Sequence, residues 1–159
     1  MEKNLSALGF MSGTSGDGVD TSVISSNGKD IINIKYNRFD PYPTSLSNKI
    51  HRVKENILEM QDLLKYSSDI EQLEIQVTNF HAEIANKVSK EIDFDLIGFH
   101  GHTIYHNSYE KFSKQIGLGI NLSNMTKKTV VYDFRQEDIK NGGEGAPLTP
   151  IYHLALIKE

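Results

Sequence analysis

A turn rich in glycine, hydroxyl and carboxylate groups occupies residues 10–20, FMSGTSGDGVD, between two apolar runs. Its three glycines tolerate the backbone angles of a tight turn, and the N–H groups of such a turn can form a nest for an anion. Asp17 and Asp20 would repel a phosphate, so their natural partner is Mg²⁺ or a water molecule that it orders. The segment predicts phosphate and metal binding. An ordinary hairpin turn, which favours the same residue types, is the alternative.

A second polar loop covers residues 132–150, YDFRQEDIKNGGEGAPLTP. Asp133 lies at the end of an apolar strand, and ligands of α/β sheets collect at the carboxyl ends of strands, so this carboxylate is a candidate general base. Arg135 can hold an anionic group, and the alternative is a surface ion pair with Asp133 or Asp138. The GGEGAP turn is typical of a backbone that approaches a ligand closely.

Three histidines, His100, His102 and His106, lie in the segment HGHTIYH. The first two would share one face if the preceding strand continued, and such a pair can bind zinc or iron when a third ligand is present. The favoured interpretation is a set of neutral donors and acceptors around a polar substrate, with Thr103 adding a hydroxyl group.

The elements that must position these loops begin with strands predicted at residues 5–11, 19–25 and 31–39, which form an antiparallel meander with Asn27-Gly28 as the second turn. Two helices follow, the first with Ser45 or Ser47 as its cap. Their apolar positions recur at helical spacing: Leu46, Ile50, Val53 and Ile57, then Leu73, Val77, Phe80, Ile84 and Val88. His81, beside the second stripe, is interpreted as a packed side chain.

The second half of the chain predicts short strands at residues 95–100, 115–119 and 129–134, then a glycine loop and an apolar segment at 147–157. A meander followed by alternating helices and strands predicts an α/β domain with a mixed sheet.

Composition narrows the classes of partner. The chain has 159 residues, a formal charge of −4, scattered Lys and Arg, and no cysteine. We therefore expect one domain, no binding of nucleic acid or of anionic membranes, and no disulfide or thiolate chemistry. Without a targeting segment or an apolar run of ~20 residues, the sequence predicts a soluble, cytoplasmic protein.

Three motifs together resemble the anhydro-N-acetylmuramic acid kinases of bacterial cell-wall recycling. They are MSGTSGDGVD at residues 11–20, FHGHTIYH at 99–106 and VVYDFRQEDIKNGGEGAPLTPIYH at 130–153. That family belongs to the sugar kinase, Hsp70 and actin superfamily, in which two α/β lobes close on ATP and Mg²⁺. The resemblance implies that residues 1–159 are a single lobe, the amino-terminal part of a two-lobe kinase, and that the second lobe is absent.

The family reaction uses water to open the 1,6-anhydro bridge at C1 of the sugar and transfers the γ-phosphoryl group of ATP to the freed O6. By the resemblance, Asp133 is the general base, and Asp17 and Asp20 help to place Mg²⁺. The residues implied around the ATP phosphates are Gly13, Thr14, Ser15, Gly16, Asp17, Gly18, Val19 and Asp20. Those implied around anhydro-N-acetylmuramic acid are His100, Gly101, Thr103 and Arg135.

Four positions depart from the family pattern: Gly16 in place of a larger apolar residue, His102 and Glu144 in place of glutamines, and Leu118 in place of an aspartate. Two hypotheses stay open. The chain is a kinase that works with a separately encoded second lobe, or it is a non-catalytic remnant or binding module. In either case we expect an uncovered apolar face, with self-association, including a homo-oligomer, or instability when the chain is expressed alone.

Overall fold

The computed structural model describes residues 4–29 and 32–157, in which a five-stranded sheet has the strand order β3-β2-β1-β4-β7 and a two-stranded hairpin lies beside it. The sheet strands are β1 Leu5–Met11, β2 Gly18–Ser26, β3 Ile32–Pro41, β4 Leu96–Phe99 and β7 Thr129–Tyr132. The hairpin strands are β5 His102–Asn107 and β6 Phe112–Ile116.

The sheet combines an antiparallel meander with parallel additions. β1 pairs with β2 and β2 with β3 in antiparallel register, whereas β4 lies parallel to β1 and β7 parallel to β4. Parallel strands require long crossover connections, which the intervening helices supply. The predicted mixed α/β fold with an amino-terminal meander is confirmed.

The helices in the described residues are α1 Thr44–Asn56, α2 Met60–Lys65, α3 Ser67–Val88, α4 Gly119–Thr126, α5 Phe134–Lys140 and α6 Pro150–Ile157. The apolar stripes of α1 and α3 pack against Leu8, Val19 and Ile97 of the sheet in one buried cluster. Within this part of the chain, no helix is both long and apolar enough to cross a membrane.

His81 of α3 is fully buried, and its Nδ1–H donates to the carbonyl of Val77 at 2.7 Å. Its ring meets Phe10 and Phe99 edge to face, with ring centroids 5.0 and 5.1 Å apart. The prediction that His81 is a packed core residue is confirmed.

Several predicted boundaries are wrong. The strand predicted at residues 115–119 lies at Phe112–Ile116, because Gly119 already begins α4. The strand predicted at 129–134 ends at Tyr132, and the loop expected after it begins with α5. Neither Ser45 nor Ser47 caps α1, since Pro43 occupies the cap position without a side-chain bond. β3 extends through Pro41, and the predicted start at residue 31 lies outside the described residues.

Candidate active site

Three motif-bearing loops meet at one edge of the sheet. The parallel strands β1, β4 and β7 end at Met11, Phe99 and Tyr132, so their carboxyl ends point to the same side. The glycine turn follows β1, the histidine segment follows β4, and Asp133 follows β7 directly. Since β4 lies between the other two strands, the histidine segment lies between the glycine turn and Asp133. This is the edge where α/β sheets bind ligands.

The glycine turn is joined to the histidine segment by a buried polar chain. Ser12 Oγ lies 2.7 Å from both His102 Nδ1 and the Tyr42 hydroxyl oxygen, and Ser12 and His102 also form a parallel backbone bridge. Burial lowers the pKa of His102 to about 4, with the positive charge of Lys54 as the next cause. His102 is therefore neutral at physiological pH. Among the described residues, its Nε2 has no hydrogen-bond partner.

His100 joins the histidine segment to the loop after β7. The Nε–H of Arg135 donates to His100 Nε2 at 2.9 Å, so the opposite nitrogen of the ring carries the hydrogen, which Nδ1 donates to the carbonyl of Gly101 at 3.1 Å. Burial lowers the pKa of His100, and the positive charge of Arg135 lowers it further. His100 is thus held as one neutral tautomer.

The sequence predicted that His100 and His102 would share one face if the strand continued. In the structure they do not. β4 ends at Phe99, and Gly101 takes a left-handed φ of +73°, where an added Cβ would clash with the carbonyl of Ile116. This kink sends the two rings to different partners. His106 is exposed on β5. The described residues contain no group of three His, Cys, Asp or Glu side chains that could hold a metal ion, so metal binding by the histidine trio is wrong.

Arg135 is tied to the glycine loop as well as to His100. Its Nη1 donates to the carbonyl of Gly145 at 2.6 Å, while the N–H of Gly145 donates to Asp138 Oδ2 at 2.8 Å. Both polar groups of Gly145 are therefore fixed by α5. The alternative of a surface ion pair between Arg135 and Asp133 or Asp138 is wrong, because no such pair forms among the residues that the structure describes.

The glycine turn is closed by a bond from the N–H of Gly16 to the carbonyl of Gly13, at 3.1 Å. Gly16 has φ +65°, and a Cβ there would lie 3.2 Å from the ring of His51. Three carbonyl groups of the turn accept bonds from outside it: Thr14 from Lys54 Nζ, Gly16 from Ser47 Oγ and Asp17 from the N–H of Tyr42. The acceptors of the turn are thus occupied by α1 and the segment that precedes it.

The two carboxylates of the turn are both exposed, but they differ in setting. Ser15 Oγ donates to Asp17 Oδ1 at 2.6 Å, and this bond lowers the pKa of Asp17 and keeps it ionised. Asp20 lies in β2, opposite Met11 of β1. Val19, included in the predicted phosphate segment, turns its side chain into the core and is fully buried.

Asp133 occupies the junction between β7 and α5 with a left-handed φ of +64°. For a residue with a Cβ this conformation costs roughly 1–2 kcal/mol, and such costs cluster at functional sites. The side chain is exposed and does not cap α5. Thr103, by contrast, is half-buried, and its hydroxyl accepts a 3.4 Å bond from Gln115 Nε2.

Sequence reasoning missed three residues that shape the site. Lys54 brings a positive charge to the glycine turn, and Ser12 and Tyr42 form the buried chain to His102. Ser12 was visible within the first motif. Lys54 and Tyr42 carry no local signal, because they reach the turn only through the packing of α1 and the end of β3.

Proteins of known family that are similar in sequence carry the same name. A family model described as anhydro-N-acetylmuramic acid kinase matches residues 5–159. The chain is 45% identical to the anhydro-N-acetylmuramic acid kinase of Pelagibacter ubique, with 100% of this chain and 43% of that protein covered. It is 34% identical to the enzyme of the same name from Rhizobium johnstonii and 35% identical to that of Brucella canis, each over 94% of this chain and 42% of the relative. The chain thus spans less than half the length of these relatives.

Proposed function

Because the chain belongs to the anhydro-N-acetylmuramic acid kinase family, we propose that it provides the amino-terminal lobe of an ATP-dependent kinase of 1,6-anhydro-N-acetylmuramic acid. The supporting observation is the meeting of the three motif loops at one sheet edge, joined through His100 and His102. The relatives are more than twice as long as this chain. We propose that the part of the family sequence that this chain does not cover forms a second lobe. Because the proposed reaction uses ATP, we also propose that it takes place in the cytoplasm.

In the proposed reaction, a water oxygen bonds to C1 of the sugar as the C1–O6 bond breaks, and O6 then takes the γ-phosphoryl group of ATP. The products are the 6-phosphorylated sugar, ADP and a proton. Asp133 accepts the proton of the attacking water as general base. Its carboxylate lies at the carboxyl end of β7, is exposed and does not cap α5. These features support the role, because the proton acceptor must face the ligand rather than the core.

The glycine turn is proposed to bind the ATP phosphates through its N–H groups, a role supported by the bonds from α1 that already occupy the carbonyls of Thr14 and Gly16. Lys54 places a positive charge beside the turn. Asp17 and Asp20 fit a Mg²⁺ ion, which typically takes one or two protein carboxylates plus phosphate oxygens and water. When bound, the ion neutralises charge on the phosphates, and phosphoryl transfer depends mainly on such neutralisation and positioning.

His100, Gly101, Thr103 and Arg135 are proposed to line the sugar pocket. The neutral tautomer of His100 and the carbonyl of Gly145 hold Arg135 in place, so its remaining N–H groups are preset donors and little conformational entropy is lost when a polar sugar binds. This part of the site therefore orients the anhydro ring relative to Asp133.

The test is ATP turnover with anhydro-N-acetylmuramic acid, measured for this chain alone and with the carboxyl-terminal portion of the Pelagibacter ubique relative added. We expect turnover in the mixture, and a loss of about 10²-fold or more in Asp133→Asn, as for removal of a general base. Asp69→Asn, an exposed carboxylate on α3, is the matched control and keeps full activity. Absence of turnover in mixtures of folded proteins would favour a non-catalytic binding module. Full activity in Asp133→Asn would refute the role of Asp133.

A further inference from the structure

Arg135 is a partly buried cation without a carboxylate partner in residues 4–29 and 32–157. Burial lowers the pKa of Arg135, because it removes part of the charged guanidinium from water. Two other partly buried cations differ: Arg38 pairs with Asp40 at 2.7 Å, and Lys114 pairs with Glu74 at 2.9 Å. A partly buried charge without a counter-ion costs free energy, and such a cost is typical of a ligand site.

The contacts of Arg135 fix its position without cancelling its charge. Its Nε donates to a neutral imidazole and its Nη1 to the peptide carbonyl of Gly145, while the nearby Asp138 carboxylate accepts from the N–H of Gly145. Nε and one hydrogen of Nη1 are used, so the contacts within the described residues leave both hydrogens of Nη2 and the second hydrogen of Nη1 for another acceptor. Charged N–H donors of this kind bind the oxygens of a carboxylate.

We propose that Arg135 binds the carboxylate of the lactyl ether of the sugar substrate, and so selects a muramic acid over the glucosamine sugar that lacks this ether. This assignment rests on the proposed function. A muramic acid differs from that glucosamine by one carboxylate-bearing substituent, so a preset cation is the simplest means of discrimination. A carboxylate bonded in this charge-assisted way should add about tenfold to a hundredfold in affinity.

Glu144 should affect the same discrimination between the two sugars, because it precedes Gly145 in the chain. The carbonyl of Gly145 accepts a hydrogen bond from Arg135. Glu144 is exposed, and its negative charge opposes a second carboxylate at this place. Glu144→Gln should therefore raise the affinity for the muramic sugar by a few-fold and leave the affinity for the glucosamine sugar unchanged. This variant leaves Arg135 and both of its contacts in place.

The experiment is calorimetric titration of this chain, mixed with the carboxyl-terminal portion of the Pelagibacter ubique relative. Three ligands are compared: 1,6-anhydro-N-acetylmuramic acid, its methyl ester and 1,6-anhydro-N-acetylglucosamine. The parent protein should bind the acid about tenfold or more tightly than either neutral ligand. Arg135→Gln should bind all three with similar affinity, and Arg135→Lys should keep part of the preference because it keeps the charge but not the fork. The ester removes the charge from the ligand and so tests the contact without altering the fold.

The outcomes separate the two proposals. Equal affinity of the parent protein for the acid and its ester would overturn the assignment of Arg135 and leave the proposed function standing. So would an equal loss for all three ligands in Arg135→Gln, which would show that Arg135 only supports the loop through Gly145. Absence of binding to any of the three ligands by the folded parent mixture would overturn the proposed function, and the assignment with it.

Discussion

The two faces of the five-stranded sheet are built from the same strands but have opposite surroundings. On one face, Leu8, Val23 and Ile97 are fully buried beneath α1 and α3. On the other, Ile34 and Val131 are exposed by 55% and 43% within the part of the chain that the structure describes. Successive side chains of a strand point to opposite faces, so each strand contributes to both environments.

This difference shows that the second face of the sheet lacks a covering layer within the described part of the chain. Parallel strands such as β1, β4 and β7 normally have both faces covered. This chain spans 43% of the length of its Pelagibacter ubique relative and covers one face with its own helices. An apolar face of this kind is a site for association, and self-association stays a prediction for this chain. The contrast between the faces can be tested by stability and by assembly.

The largest expected difference in the free energy of unfolding is between substitutions in two neighbouring strands, β4 and β7. Ile97→Ala on the packed face should lower the free energy of unfolding by about 2–5 kcal/mol, because it leaves a cavity in a close-packed cluster. Val131→Ala is the matched control. It lies in β7, opposite Gly98 of β4, on the exposed face, and should cost less than about 1 kcal/mol. Urea unfolding of both variants measures the difference. Equal losses would show that both faces contribute a packed core.

A second effect, on the order of a few kcal/mol for each ring, is expected from pH, because the packed side holds two buried neutral histidines. Burial lowers the pKa of His81 and of His102 to about 4 each, whereas an unfolded histidine titrates near pH 6.5. Between these values the unfolded chain binds protons that the folded chain does not, so the unfolding free energy should fall as the pH drops from about 6.5 to about 4.

Unfolding in urea at several pH values measures this slope. His102→Gln, which keeps a polar side chain and removes one titrating group, should flatten it. His106→Gln, at an exposed position on β5, should leave it unchanged. An unaltered slope in His102→Gln would contradict the contribution of that ring.

The smallest effect on stability should come from the uncovered face. The double variant Ile34→Thr and Val131→Thr should change the free energy of unfolding by about 1 kcal/mol or less, since neither side chain is buried. The same change should reduce self-association, because it removes apolar surface from the face that would mediate it. Sedimentation velocity over a range of concentrations tests this expectation. A parent chain that stays monomeric throughout would contradict it.

The fold was largely predictable where local pattern and packing agree. The meander strands and α3 show clear periodicity of two and about 3.6 residues, and their predicted positions are close to those observed. α4 and α5 were missed because they carry little apolar periodicity, with Gly119 and Leu122 as the buried residues of α4 and none in α5. Tyr132 packs over Gly119, so α4 depends on a contact with β7 rather than on its own sequence.

The sequence by itself determined the chemical groups of the candidate site, because glycine turns, carboxylates and histidines are properties of short segments. It also placed Asp133 at the end of a strand. Only the tertiary structure decided which groups meet. Ser12 contacts His102 across 90 positions of the chain, and Arg135 contacts His100 across 35. These contacts arise because parallel pairing brings distant strand ends to one edge, and no local pattern records the partner, the tautomer or the uncancelled charge that results.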